Sequence, residues 1–234
     1  SSDLYQIDKL EDRWSDGDLV VQITGDNPQS IFHAALVIAR DAEPFAKVRW
    51  QQRGFLDPAG INTTQVSRNL MGQLDGTATK AIATKDFSSI TWAKAGALKD
   101  GTIMVVRRIR IAVKAWDKLS TNNKGIALGR SLDDGHKLES KTASSHVSRA
   151  FTSGASGIIR RGFNYDDNYL ADGTRDAGLI FISFQESLKR YLYIQARLNS
   201  MDELNRWTTP VGSALFIVPS GTEPGGYIGE KFFS

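Results

Sequence analysis

At 234 residues the chain is long enough for one or two compact domains with a sizeable core. Its 41% hydrophobic and 24% charged residues match an ordinary globular protein, and a net charge of only +3 argues against nucleic acid as a partner. The absence of cysteine excludes disulfides, thiolate metal sites and cysteine nucleophiles, and no apolar run approaches the roughly 20 residues of a membrane-spanning helix.

Residues 18–24 (DLVVQIT) read as a strand behind the turn Ser15-Asp16-Gly17. Asn27-Pro28 then opens a helix through Phe32, Ala35, Leu36 and Ile38, whose three- and four-residue spacing lines up one apolar face. Residues 46–50 form a second predicted strand. Residues 53–83 follow as a long Gly-, Asn- and Thr-rich stretch without periodicity, which in a compact domain is usually functional or disordered. Beyond it, residues 102–113 (TIMVVRRIRIAV) read as a strand whose second half alternates Arg108 and Arg110 with Ile109, Ile111 and Val113. Trp116-Asp117 suggest a short helix or turn. Further strands are predicted over residues 157–163, 179–184 and 213–218, with helices over 187–198 and from Met201 onward. Strands and helices mix without strict βαβ alternation, so the class is α+β. The two parts of the chain rhyme as strand, helix, strand, a pattern that a repeated ferredoxin-like unit would produce.

The chain has three histidines. His33 sits inside the first helix pattern and reads as packed or partly exposed. His136 follows Asp134-Gly135 in a polar turn and reads as solvated. His146 stands at the end of a Ser/Thr-rich loop before an arginine-bearing strand, where a ligand role competes with an ordinary structural one. Asp-Gly occurs at Asp16, Asp75, Asp100, Asp134 and Asp172, and the dipeptide usually marks a tight turn. The copy in Gly72-Gln73-Leu74-Asp75-Gly76 differs: it lies in the unpatterned loop, and its glycines would let backbone approach a flat ligand and aim one carboxylate at it. Arg160 and Arg161 point to opposite faces of their strand. Either something bound faces one of them, or both reach water or pair with carboxylates such as Asp166.

Taken in order, GDLVVQI, VRWQQRGF, RNLMGQLDGT, VVRRIRI with Trp116-Asp117, LGR at residues 128–130, SHVSRA, IIRRGFNY, GLIFISFQ and GSALFIVPSG resemble the dye-decolourising peroxidases, a haem enzyme family, and within it the exported A-type branch. RNLMGQLDGT contains the family's GxxDG signature. The resemblance implies ferredoxin-like repeats of the dimeric α+β barrel type with the first repeat incomplete. Residues 1–85 would hold the C-terminal half of the first domain with the GxxDG loop, and residues 86–234 the second, haem-binding domain. It implies haem b as cofactor, hydrogen peroxide as oxidant, and dyes or phenolic compounds as one-electron donors.

By the same resemblance, His146 would be the proximal iron ligand, Asp75 the distal acid–base residue and Arg160 its partner. Gly72, Gly76, Arg130, Leu179 and Phe181 would line the cofactor, and Asp202, or Glu203 in a loose register, would hold the second imidazole nitrogen. Bulky dyes would react at an aromatic side chain nearer the surface. Trp92, Trp116, Trp207 and Tyr193 are the candidates, with core packing the competing role for each. Rival readings are iron release from haem with the porphyrin intact, haem binding without turnover, and a cofactor-free barrel. Because the first unit begins with strand, helix and strand, a separate polypeptide is expected to complete its sheet, the alternative being a shortened chain. The resembled branch also implies secretion.

Overall fold

The computed structural model describes residues 5–56, 67–75, 85–139, 142–151 and 157–233. Four strands, β1 (Thr102–Ile111), β2 (Ile159–Tyr169), β3 (Arg175–Gln185) and β4 (Thr208–Val218), form one sheet in the order β2-β3-β1-β4. All three neighbouring pairs are antiparallel. With helices between β1 and β2 and between β3 and β4, this is the ferredoxin-like arrangement. Central β1 is buried along most of its length on both faces, its arginines included, as a strand covered on both sides must be.

One face of the sheet carries Met104, Val106, Tyr165, Ile180, Ile182, Ala214 and Phe216, packed against Val20 and Trp50 from the N-terminal part. Each fully buried Ile or Phe of this layer contributes roughly 1.5–3 kcal/mol. Arginines of β1 fasten the N-terminal part to this sheet and brace the sheet itself. Arg107 meets Asp8 at 2.5 Å, Arg110 meets Glu11 at 2.8 Å, and Arg108 grips both oxygens of Asp176 at 3.0 Å. The guanidinium of Arg108 is also sandwiched between the rings of Trp14 and Tyr165, 4.3 and 4.0 Å from their centroids. Paired this way, the charges avoid the penalty of an isolated buried ion.

Helix α1 (Pro28–Ala42) starts where predicted: Asn27 caps it by accepting the Gln29 and Ser30 amides at 2.8 and 3.2 Å, with proline at the first helical position. Helix α2 spans Lys85–Thr91, α3 Val113–Asp117, α4 Thr121–Leu128, α5 His146–Ala150 and α6 Leu188–Met201. The region after Met201 is a short 3-10 turn, Glu203–Arg206. The expected strands at residues 18–24 and 46–50 are extended segments without ladder partners among the described residues. Leu19, Val21 and Val48 are exposed on them, while Val20 and Trp50 turn inward. Alternation gave each segment an apolar face, but a strand also needs a neighbour for its backbone groups.

Candidate active site

Two strands and one loop assemble the first half of the site. Arg160, Gly162 and Asn164 alternate along β2 and so share one face. Ladder pairing sets Gly162 opposite Phe181 and Asn164 opposite Leu179 on β3, which puts both apolar side chains on that same face. The loop of residues 67–75 crosses it. Asp75 Oδ1 lies 2.5 Å from Arg160 Nη2, with side-chain exposures of 15% and 29%. Such a half-buried carboxylate–guanidinium couple is held in place yet open to a small ligand. Gly162 makes room for it: a Cβ there would lie 3.1 Å from Leu179 Cδ1 and 3.3 Å from Asp75 Oδ2.

The loop carrying Asp75 is closed on itself. Asn69 Oδ1 accepts the Met71 and Gln73 amides at 3.0 and 3.2 Å, and the Asp75 amide donates to the Ser67 carbonyl at 2.8 Å. Arg68 spreads over three carbonyls, those of Gly72, Leu132 and Asp133. Trp116, wholly buried, donates its indole N–H to the Met71 carbonyl at 3.0 Å.

The second half is built by the C-terminal helices. His146 opens α5, and its Nδ1 lies 2.7 Å from Asp202 Oδ2, at the end of α6. A carboxylate only accepts, so Nδ1 carries the proton of this bond, and in the neutral ring Nε2 presents a lone pair. Among the described residues Nε2 makes no hydrogen bond. The short helix α5 is clamped to α6 by a reciprocal exchange. Arg149 Nε donates to the Arg197 carbonyl at 3.1 Å, and Arg197 Nε donates to the Arg149 carbonyl at 2.9 Å. Beneath α5, Gly129 ends α4 at φ +81°, and a Cβ there would stand 2.6 Å from Ser145 Oγ, so a side chain would displace the residue before the histidine.

A second apolar cluster joins the halves. Met71 of the Asp75 loop packs with Trp116, Leu128 and Leu204, and Leu204 follows Asp202 by two residues. The 129–133 segment bridges them as well: Gly129 abuts Ser145, while the Leu132 and Asp133 carbonyls receive Arg68.

The structure thus brings Asp75 to Arg160 and His146 to Asp202, with Leu179 and Phe181 on the Arg160 face. Of the two carboxylates left open by the sequence, Asp202 holds the imidazole. Glu203 instead accepts from Ser144 at 3.3 Å and pairs with Arg206. Gly72 sits in the loop at φ +78°, and Gly76 lies outside the described residues. Arg130 is joined to neither pair; one of its nitrogens donates to the Gly135 carbonyl at 2.7 Å beside an open groove of about 510 Å³. Asp166 pairs with Arg175, leaving Arg161 exposed. His33 and His136 are exposed, the latter 3.1 Å from Asp134. Asn164 and Arg68 escaped sequence reasoning, although the two-residue spacing from Arg160 through Gly162 marks Asn164 as sharing their face.

The donor set suits an iron macrocycle. Among the described residues there is no group of three or more metal-ligating side chains, so a cage of protein ligands is absent there. A single oriented imidazole with a carboxylate behind it is an axial-ligand arrangement. Leu179 and Phe181 beside a strand glycine offer an apolar wall for a flat group.

Comparison with known proteins agrees with this chemistry. The family model described as Dyp-type peroxidase, C-terminal, matches residues 66–223, and the one described as Dyp-type peroxidase, N-terminal, matches residues 3–56. A dye-decolorizing peroxidase from Thermobifida fusca is 33% identical over 97% of this chain and 60% of its own length. A deferrochelatase from Yersinia pseudotuberculosis is 26% identical over 92% of this chain and 56% of its own length. Among solved structures, DtpA from Streptomyces lividans, in an oxyferrous complex, superposes with a TM-score of 0.93 at 31% identity, covering 100% of this chain and 71% of that one. The chain therefore spans under two thirds of the length of these curated relatives.

Proposed function

Because this chain belongs to the Dyp-type peroxidase family, we propose that it serves as a haem-dependent peroxidase that reduces hydrogen peroxide and oxidises dyes and phenolic compounds in one-electron steps. The observation that carries this reading is the Asp75–Arg160 couple, packed through Met71 and Leu204 to the His146–Asp202 pair. Haem b, when bound, supplies the iron that takes up peroxide and stores its oxidising power. His146 Nε2 would hold the iron, and Asp202, by accepting from Nδ1, would orient the ring and raise its basicity.

Asp75 would take a proton from one peroxide oxygen and return it to the other, so that water can leave while bound haem would supply the two electrons this cleavage consumes. Arg160 holds that carboxylate in register and would stabilise negative charge growing on the departing oxygen. Leu179 and Phe181 would keep bulk water and bulky donors away from it. Dyes too large to enter need another route. Trp116 is bonded to the Asp75 loop and meets half-buried Trp207 edge-on at 5.3 Å between ring centroids, so this pair would pass an electron inward. Trp92 contacts only Phe87 among these aromatic pairs, and exposed Tyr193 stacks under Arg197.

Iron removal, the deferrochelatase reading, has no evident need for a carboxylate–guanidinium couple. The separate polypeptide expected from the sequence lacks support, since the N-terminal family model matches residues of this same chain. Residence outside the cytoplasm belongs to the proposal by resemblance alone and is tested by cell fractionation. No helix among the described residues is long and apolar enough to cross a membrane. The decisive experiment loads the full chain with haem and records its spectrum before and after one equivalent of peroxide, followed by a dye. The expected result is a Soret change that the dye reverses while being bleached; haem uptake without peroxide-dependent bleaching would overturn the reading.

A further inference from the structure

Strand β2 is an edge of the sheet, and among the described residues its free side is bridged at Asn164. The backbone there exchanges two hydrogen bonds with Phe55, at 2.9 and 2.8 Å. The side chain does something different. It is 4% exposed and points onto the face shared with Arg160 and Gly162, where the Asp75 loop crosses. Its Oδ1 accepts the Leu70 amide at 3.1 Å, and its Nδ2 donates to the Arg68 carbonyl at 3.2 Å.

These contacts lie at the near end of the loop, and Asp75 at the far end. The two ends are mechanically joined. Arg68 bridges to Leu74, and the Asp75 amide bonds to the Ser67 carbonyl at 2.8 Å. A loop cross-tied in this way moves as one piece, so an anchor at residues 68 and 70 sets where residue 75 stands. From the geometry we infer that Asn164 is a positioning residue: it docks the Asp75 loop onto the strand that carries Arg160 and so fixes the carboxylate–guanidinium register. The role rests on the peroxidase reading above.

Asparagine is the side chain this place requires. The loop offers it one amide N–H and one carbonyl, and asparagine supplies one acceptor and paired donors at the same reach. Leucine, of nearly the same size, supplies neither. Aspartate keeps the acceptor for Leu70 but turns an oxygen toward the Arg68 carbonyl. Burial matters as well: water is not at hand to replace either bond when the side chain changes.

The test compares Asn164→Leu and Asn164→Asp with the unaltered full chain, using two readouts. Hydrogen exchange of the haem-free protein should show faster exchange over residues 67–75 in both variants, more so in Asn164→Leu, with the β1 and β3 amides unchanged. In the haem-loaded protein, the rate of the peroxide step should fall about tenfold or more, as expected when a reacting group shifts by a fraction of an ångström. Reduction by a dye should keep its rate, a split that general loosening of the fold would not produce. Unchanged exchange over residues 67–75, or an unchanged peroxide rate with faster exchange, would overturn the role. If Asn164→Leu does not fold, Asn164→Asp carries both measurements. A wild-type chain that takes up haem and ignores peroxide would overturn the functional reading and the role with it, while exchange alone still decides whether Asn164 anchors the loop.

Discussion

Asp202 serves His146 and its own backbone at the same time: Oδ2 lies 2.7 Å from the imidazole Nδ1, and Oδ1 accepts the Leu204 amide at 3.0 Å. The second bond stops the carboxylate from rotating, so the first has a fixed direction. Asp202→Asn retains a group of the same shape without the negative charge. It should weaken haem affinity or peroxide reactivity by roughly 10–100-fold, the usual scale for partners of metal-bound histidines. Haem titration and stopped-flow spectra measure both, and wild-type values in each would show that the charge behind the ring is unimportant.

Removing either member of the Asp75–Arg160 couple should leave haem binding intact and slow chemistry. Asp75→Asn and Arg160→Leu should each lower the rate of the peroxide step by about 10²–10³, the contribution typical of a placed acid–base or electrostatic group. The expected spectra before peroxide are those of the unaltered protein. A variant that reacts with peroxide at the original rate would strip that residue of its role.

The buried arginine network makes stability depend on pH. Burial pushes the Asp176 carboxyl up, but hydrogen bonds and charge from Arg108 and Arg110 outweigh it, so its pKa lies below the ordinary value. A carboxyl depressed by folding contributes stability that is fully present above its unfolded pKa, about 3.9, and is lost as pH falls through the folded value. Melting temperature should therefore drop below about pH 4. Asp176→Asn should cost about 3–5 kcal/mol at pH 7, because two guanidiniums lose a buried partner, and should flatten the acid limb. Urea titrations at pH 7 and pH 3 test both halves; an acid limb as steep as that of the wild type would assign it elsewhere.

Trp207 is expected to matter for large donors only. Trp207→Leu should slow bleaching of a bulky dye, about tenfold if the barrier of that route rises by some 1.4 kcal/mol, while the peroxide step holds its rate. Trp116→Phe should act in the same direction. Bleaching at the wild-type rate by both variants would remove the pair from the electron path.

The second unit was legible because its strands are long and its apolar faces continuous: β3 and β4 were found within a few residues of their observed starts or ends. Helices α4 and α5 were missed, since eight and five residues are too few for a periodic signal to separate from loop. The extended segments at residues 18–24 and 46–50 show the converse error. Val20 and Val48 carry the composition of a strand, and composition does not say whether a neighbour exists. At the site, Asp75 taken alone could have been one more Asp-Gly turn; resemblance singled it out, and packing supplies its partner Arg160. Asn164 had no such help. A buried amide that ties two distant segments has no one-dimensional signature, because its partners are backbone groups that every residue possesses.

The crossed arginines of α5 and α6 have a consequence for how this protein would hold its cofactor. Each guanidinium ends on the other residue's backbone, so neither helix can drift without breaking both ties. The imidazole and the carboxylate that steers it are thereby carried by one tied unit. Under the proposed function, the crossed ties would keep ligand and steering carboxylate in one fixed relation, as the two halves of a clasp are kept.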